Sequence, residues 1–91
     1  MIPKELMEKY KRSIPDKLNK IHVLISEVQR SPSQETLDAL RLAVHNLAGS
    51  AGTYGFMEAT ILCQGLEKRI SQNENKLDLE EFYLNLKKSL S

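Results

Sequence analysis

The 91-residue chain has a single cysteine, Cys63, which excludes an internal disulfide and points to a reducing compartment. It has little excess of either charge. Thirteen Lys and Arg stand against twelve Asp and Glu, for a formal net charge of +1. Like charges do not run together, so neither nucleic acid nor an anionic membrane is indicated as a partner. No apolar run approaches the ~18 residues of a membrane span, and the first residues show no signal-peptide h-region. There is no internal repeat, no low-complexity tract and no strand-like alternation of useful length. A Gly-rich nucleotide loop is missing, as is a carboxylate cluster for Mg²⁺. His22, His45 and Cys63 lack metal-ligand spacing, which argues against zinc. These absences lead to the expectation of one cytoplasmic domain over residues 1–91, with no cofactor or metal of its own.

What is present is helical periodicity. Ile14, Leu18, Ile21, Ile25 and Val28 alternate steps of four and three, which describes one buried stripe. Leu37, Leu40, Val44, Leu47, Ala51 and Tyr54 form a second. Ala59, Leu62, Leu66 and Ile70 form a third, with Cys63 beside them, and Leu79, Phe82, Leu86 and Leu90 close the chain. The punctuation agrees. Ser13-Ile14-Pro15-Asp16 reads as a helix start, and Ser31-Pro32-Ser33-Gln34 repeats it, with proline at the first helical position and glutamine at the reciprocal capping site. Asp78-Leu79-Glu80-Glu81 is a third start, its acids complementing the helix dipole. Gly55 suits a left-handed terminating position, and Asn73-Glu74-Asn75-Lys76 reads as a polar connection. The expectation is all-α: a short N-terminal helix near 3–12, then helices near 14–30, 33–54, 56–72 and 78–90. Their short loops favour an up-down antiparallel four-helix bundle carrying that short N-terminal extra helix.

Glycine is scarce as well, at four residues. Three of them, Gly49, Gly52 and Gly55, fall in the stretch HNLAGSAGTYGF that begins at His45. Each glycine inside a helix costs about 1 kcal/mol relative to alanine, so their placement calls for a reason. On a wheel of about 100° per residue, His45 misses the buried direction of its helix by roughly 130° and faces solvent. Asp38, Arg41, Leu42, Ala48, Gly49 and Gly52 share its face. Beyond His45 that face carries nothing larger than a methyl group, which leaves room for another surface. Leu42 adds an exposed apolar contact of the kind interfaces use, and Asp38 and Arg41, three residues apart, can pair on the helix surface.

If the chain reverses around Gly55–Phe56, residues level with each other on the two helices have numbers summing to about 112. Leu47/Leu66 and Ala51/Leu62 fit to within one, and the residue level with His45 is Glu67. A carboxylate there can accept the hydrogen bond from Nδ1–H, fixing the tautomer and leaving the Nε2 lone pair outward. Gln64, one turn nearer the loop, can help hold the arrangement. His22 lies at the edge of a buried stripe and reads as a boundary residue. No serine, cysteine or second carboxylate is arranged to use His45 as a general base. Phosphoryl transfer, with Nε2 as nucleophile, fits a chain that supplies neither nucleotide nor metal.

The pattern His45-x-Leu47-x-Gly49-Ser50-Ala51-x-x-x-Gly55 resembles the histidine-containing phosphotransfer (HPt) domains of two-component phosphorelays. The run from Gly49 to Phe56 is similar to the phosphotransfer domains of chemotaxis-type histidine kinases. The resemblance implies that His45 is the phosphoacceptor, that Gly49 leaves room for a response-regulator receiver domain, and that Glu67 holds the imidazole. It also implies that Mg²⁺ and an acidic pocket come from the receiver. The family usually places lysine three residues after the histidine. Here that residue is Ala48, and Arg41 is the cation on the same face that can substitute. Three readings follow: a carrier between receivers, an adaptor that binds or sequesters a receiver without being phosphorylated, and a module labelled by a histidine kinase.

Overall fold

Four stripes of buried apolar residues build four helices. The structure, a computed structural model, describes residues 2–74 and 76–91. Its elements are α1 (Lys4–Arg30), α2 (Gln34–Thr53), α3 (Met57–Ser71) and α4 (Leu79–Ser89), with no strand among the described residues. Each helix packs against the next, and α4 returns against α1. The core takes Ile14, Leu18, Ile21, Ile25 and Val28 from α1 and Leu40, Val44, Leu47 and Ala51 from α2. Ala59, Cys63, Leu66 and Ile70 of α3 meet them, and Leu79, Phe82, Leu86 and Leu90 close the bundle. Leu37, Tyr54 and Leu62, expected in the same stripes, are half-buried at the margin.

The N-terminal extra helix does not exist as a separate element. Residues 3–12 and 14–30 join into one 27-residue helix that runs through Pro15. Ser13 does not cap a new helix; its Oγ donates to the Tyr10 carbonyl at 2.6 Å. Proline removes one backbone donor and costs a helix interior about 3 kcal/mol. Against that cost stands Tyr10, buried at the head of the same stripe as Ile14 and Leu18. Its ring stacks on Tyr54 at 4.1 Å between centroids and lies 5.9 Å from Phe56, and its hydroxyl bonds Ser50 Oγ at 3.0 Å. This aromatic group ties the N-terminal turns of α1 to the α2–α3 hairpin, so tertiary packing carries the helix through the proline.

The start of α2 lies one residue from the expected 33, but its cap lies two residues beyond the one the sequence suggested. The N-cap is Ser33, not Ser31, and Pro32 lies before the helix. Ser33 Oγ accepts from the Thr36 amide at 3.1 Å, while Thr36 Oγ1 accepts from the Ser33 amide at 3.0 Å. Thr36 therefore closes the capping box in place of Gln34. At the other end, Gly55 has φ +86°. The Phe56 amide donates to the Ala51 carbonyl at 2.8 Å and the Gly55 amide to that of Gly52 at 3.1 Å, which is the Schellman termination that favours glycine. The end of α3 repeats it with Asn73 at φ 55°, Glu74 donating to Arg69 and Asn73 to Ile70. Asn75, in the polar connection that follows, lies outside the described residues. Asp78 caps α4 as expected, accepting from the Glu81 amide at 3.0 Å.

Candidate functional site

Val44 and Leu47 are buried in the core, which fixes the rotation of α2 and turns His45 outward with 61 % of its side chain exposed. On α3, Leu66 and Ile70 do the same for Glu67. Nδ1 of His45 lies 2.8 Å from Oε2 of Glu67. Facing an ionised carboxylate, which only accepts, a neutral imidazole places its proton on Nδ1 and keeps its lone pair on Nε2. Glu67 is the better sheltered of the two, with 24 % of its side chain exposed. A second bond braces the helices one turn away. Thr60 Oγ1, buried, donates to the Ala48 carbonyl at 2.8 Å. These two bonds hold α2 and α3 in register around the imidazole.

The expected docking residues divide on inspection. Gly49 is exposed, and a Cβ built there would meet nothing within 4 Å. Leu42 is exposed at 55 %. Arg41 is half-buried, its Nε 3.8 Å from Asp38 Oδ1. Ala48 is a correction: expected on the open face, it is buried at 6 % exposure, because α2 turns that flank against Thr60 of α3. Its methyl group offers no docking surface. Gly52 is half-buried, and a Cβ there would come within 3.1 Å of Thr60 Oγ1. That glycine is required by helix packing and is only partly available to a partner. Gln64 is exposed and makes no hydrogen bond to His45 or Glu67 among the described residues.

Two neighbours escaped the sequence reading. Thr60 is one, and its grip on the Ala48 carbonyl depends on a glycine, Gly52, opposite it. Tyr10 was hidden by the break expected at Ser13. Beneath the site, Cys63 is fully buried one turn before Glu67. Burial, and then the Glu67 charge, push its thiol up to about 12 from an ordinary 9.0, so it stays protonated and inert. Among the described residues no three His, Cys, Asp or Glu side chains converge as a metal site, and no helix is long and apolar enough to cross a membrane.

Fold and site together define a class: an all-α bundle that presents one oriented, solvent-open imidazole from the middle of a helix. The family model of the Hpt domain matches residues 5–91, and the chain belongs to that family. Neither among curated proteins nor among solved structures does any match the chain. Family membership supports a histidine phosphotransfer role in phosphorelays, where Hpt domains are phosphocarrier modules that interact with receiver domains and kinases.

Proposed function

We propose that this chain carries a phosphoryl group on His45 Nε2 between receiver domains. The observation that carries the reading is the geometry around the ring: Nδ1–H held by Glu67 at 2.8 Å, with the bare backbone of Gly49 one turn beyond. In the transfer, the Nε2 lone pair forms the N–P bond as the P–O bond to the receiver's aspartate breaks, and the carboxylate leaves with the electron pair. Nδ1 keeps its proton, so the phosphorylated ring is formally cationic and faces the Glu67 carboxylate. That interaction is absent from the neutral ring and grows along the reaction, which is the condition for lowering its barrier. The receiver supplies Mg²⁺ and its acidic pocket. The donor aspartate reaches His45 across the Leu42–Gly49 surface, with Arg41 beside it. Ala48 leaves no ammonium on the turn where the family usually has one, and screened surface charges are worth only about 1 kcal/mol, so transfer persists without it.

The experiment is incubation with a phosphorylated receiver domain. The expected product is an acid-labile, alkali-stable phosphoprotein that His45→Gln does not form. Labelling of His45→Gln at the wild-type level overturns the assignment. Receiver binding with no phosphoryl uptake by the wild type would favour the adaptor reading, and labelling only by a histidine kinase catalytic domain with ATP would favour the kinase module.

A further inference from the structure

Consecutive residues of α2 point to opposite flanks. His45 turns toward α3, where Glu67 holds it, and Asn46 turns toward α1. There it lines a groove of about 290 Å³ with Ala43 and Ser50 of α2 and Lys17 and Lys20 of α1. No carboxylate lines this groove. Two other grooves mix or reverse the charge: Arg69, Asp78 and Glu81 line one between α3 and α4, and Glu80 lines one between α1 and α4. Neither lysine has a carboxylate within ion-pair distance among the described residues. Lys17 is half-buried with Nζ 5.5 Å from the centroid of Tyr10, which holds its stem against the bundle, and Lys20 is exposed.

We infer that Lys17 and Lys20 form the cationic edge of the receiver-docking face and attract the acidic rim of the receiver's phosphorylation pocket. The inference rests on the reading above. A stable interface covers roughly 800 Å² on each partner, a patch about 30 Å across, and the bundle is only 21 × 20 Å in cross-section. A receiver seated on Gly49 therefore spans α2 from its α3 flank to its α1 flank. It covers the imidazole on the α3 flank and reaches the lysine groove, which Asn46 lines beside His45, on the α1 flank. Of the cations expected near His45, Arg41 sits 3.8 Å from Asp38 and position 48 holds a buried alanine. The two lysines line a groove that holds no carboxylate, so their charge is complementary to a partner whose reactive centre is a cluster of aspartates. Paired opposite charges of this kind raise the association rate more than they lower the dissociation rate.

The test uses a receiver domain that labels His45. The second-order rate constant of transfer is measured from low to high ionic strength for wild type, for Lys17→Glu/Lys20→Glu and for Lys87→Glu/Lys88→Glu. The last pair changes net charge equally from α4, which does not pack on α2. At low salt the α1 variant is expected to fall about tenfold below the α4 variant, and the gap to close near 1 M salt, where the screening length is ~3 Å. Lys20→Glu alone, which leaves Lys17 on Tyr10, is expected to show part of the same loss at unchanged thermal stability. Equal rates for the α1 and α4 variants, with wild type transferring normally, overturn this inference alone. A wild type that takes no phosphoryl group overturns both readings.

Discussion

Adding one methyl group at Gly49 separates the demands of the fold from those of the proposed docking surface. An alanine Cβ at Gly49 meets nothing within 4 Å inside the protein, and the residue lies in the interior of α2, Gln34–Thr53. Gly49→Ala should therefore recover the helix-propensity difference, about 1 kcal/mol. In a domain of this size that raises the melting temperature by roughly 4–8 °C. Phosphoryl transfer should move the other way. If a receiver packs directly on that backbone, the inserted methyl group costs the complex about 1–3 kcal/mol, a five- to 150-fold fall in kcat/KM for transfer from a phosphorylated receiver. Gly65→Ala is the matched control. A Cβ at Gly65 also meets nothing within 4 Å, but Gly65 lines the α3–α4 groove rather than the His45 face. It should gain the same stability and transfer at the wild-type rate. Thermal unfolding by circular dichroism gives the first quantity and quenched-flow phosphotransfer the second. A Gly49→Ala protein that is stabilised and still transfers as fast as Gly65→Ala refutes the claim that Gly49 exists for a docking partner.

Two further outcomes follow from the groups around the imidazole. Glu67→Gln keeps the shape of the side chain but removes the charge facing the phosphorylated ring, so the phosphorylation rate should fall about tenfold. Thermal stability should change by less than about 1 kcal/mol, because the His45 side of the pair is largely solvent-open; an unchanged rate would show that the 2.8 Å bond plays no part in transfer. Cys63, its thiol raised to about 12 by burial and by Glu67, ionises in the unfolded chain near its ordinary 9.0 and later in the folded one. Above that lower value the folded state binds more protons, so its contribution is intact below pH 9. It is lost as pH rises toward 12, by up to about 1.4 kcal/mol per pH unit. Denaturant unfolding between pH 8 and 11 should show a steeper decline for wild type than for Cys63→Ala, and parallel slopes would contradict the burial argument.

Much of this arrangement was legible in the sequence because it depends on spacing. The four stripes recover the bundle. Level pairing across the hairpin finds Glu67 from His45, since equal rise on antiparallel helices needs no side-chain detail. Three features were not legible, each for a physical reason. Pro15 reads locally as a helix start, and only Tyr10 stacking on Tyr54, 44 residues away in the chain, keeps α1 continuous. The Ser31/Ser33 ambiguity turns on which hydroxyl finds a reciprocal partner, and Thr36, unlike Gln34, sits at the required third position after Ser33. Ala48 lies near the edge of the buried arc, where a wheel alone does not decide exposure. The depth of Thr60 between the helices does.

The places where this chain breaks local rules are the useful guide to its function, once those that the fold itself explains are set aside. Pro15 is explained by the buried stripe running through it, Gly55 by its positive φ, and Gly52 by the Thr60 hydroxyl it admits. Gly49 and Gly65 remain, both open and both costing their helices about 1 kcal/mol. Open backbone alone does not make a docking site, as Gly65 has no reactive group set beside it. Gly49 differs because one turn before it stands an imidazole whose proton is fixed on the inner nitrogen by Glu67. On the proposed reading, a helix that gives up stability beside an imidazole it has already oriented leaves room for the phosphoryl donor that arrives from outside.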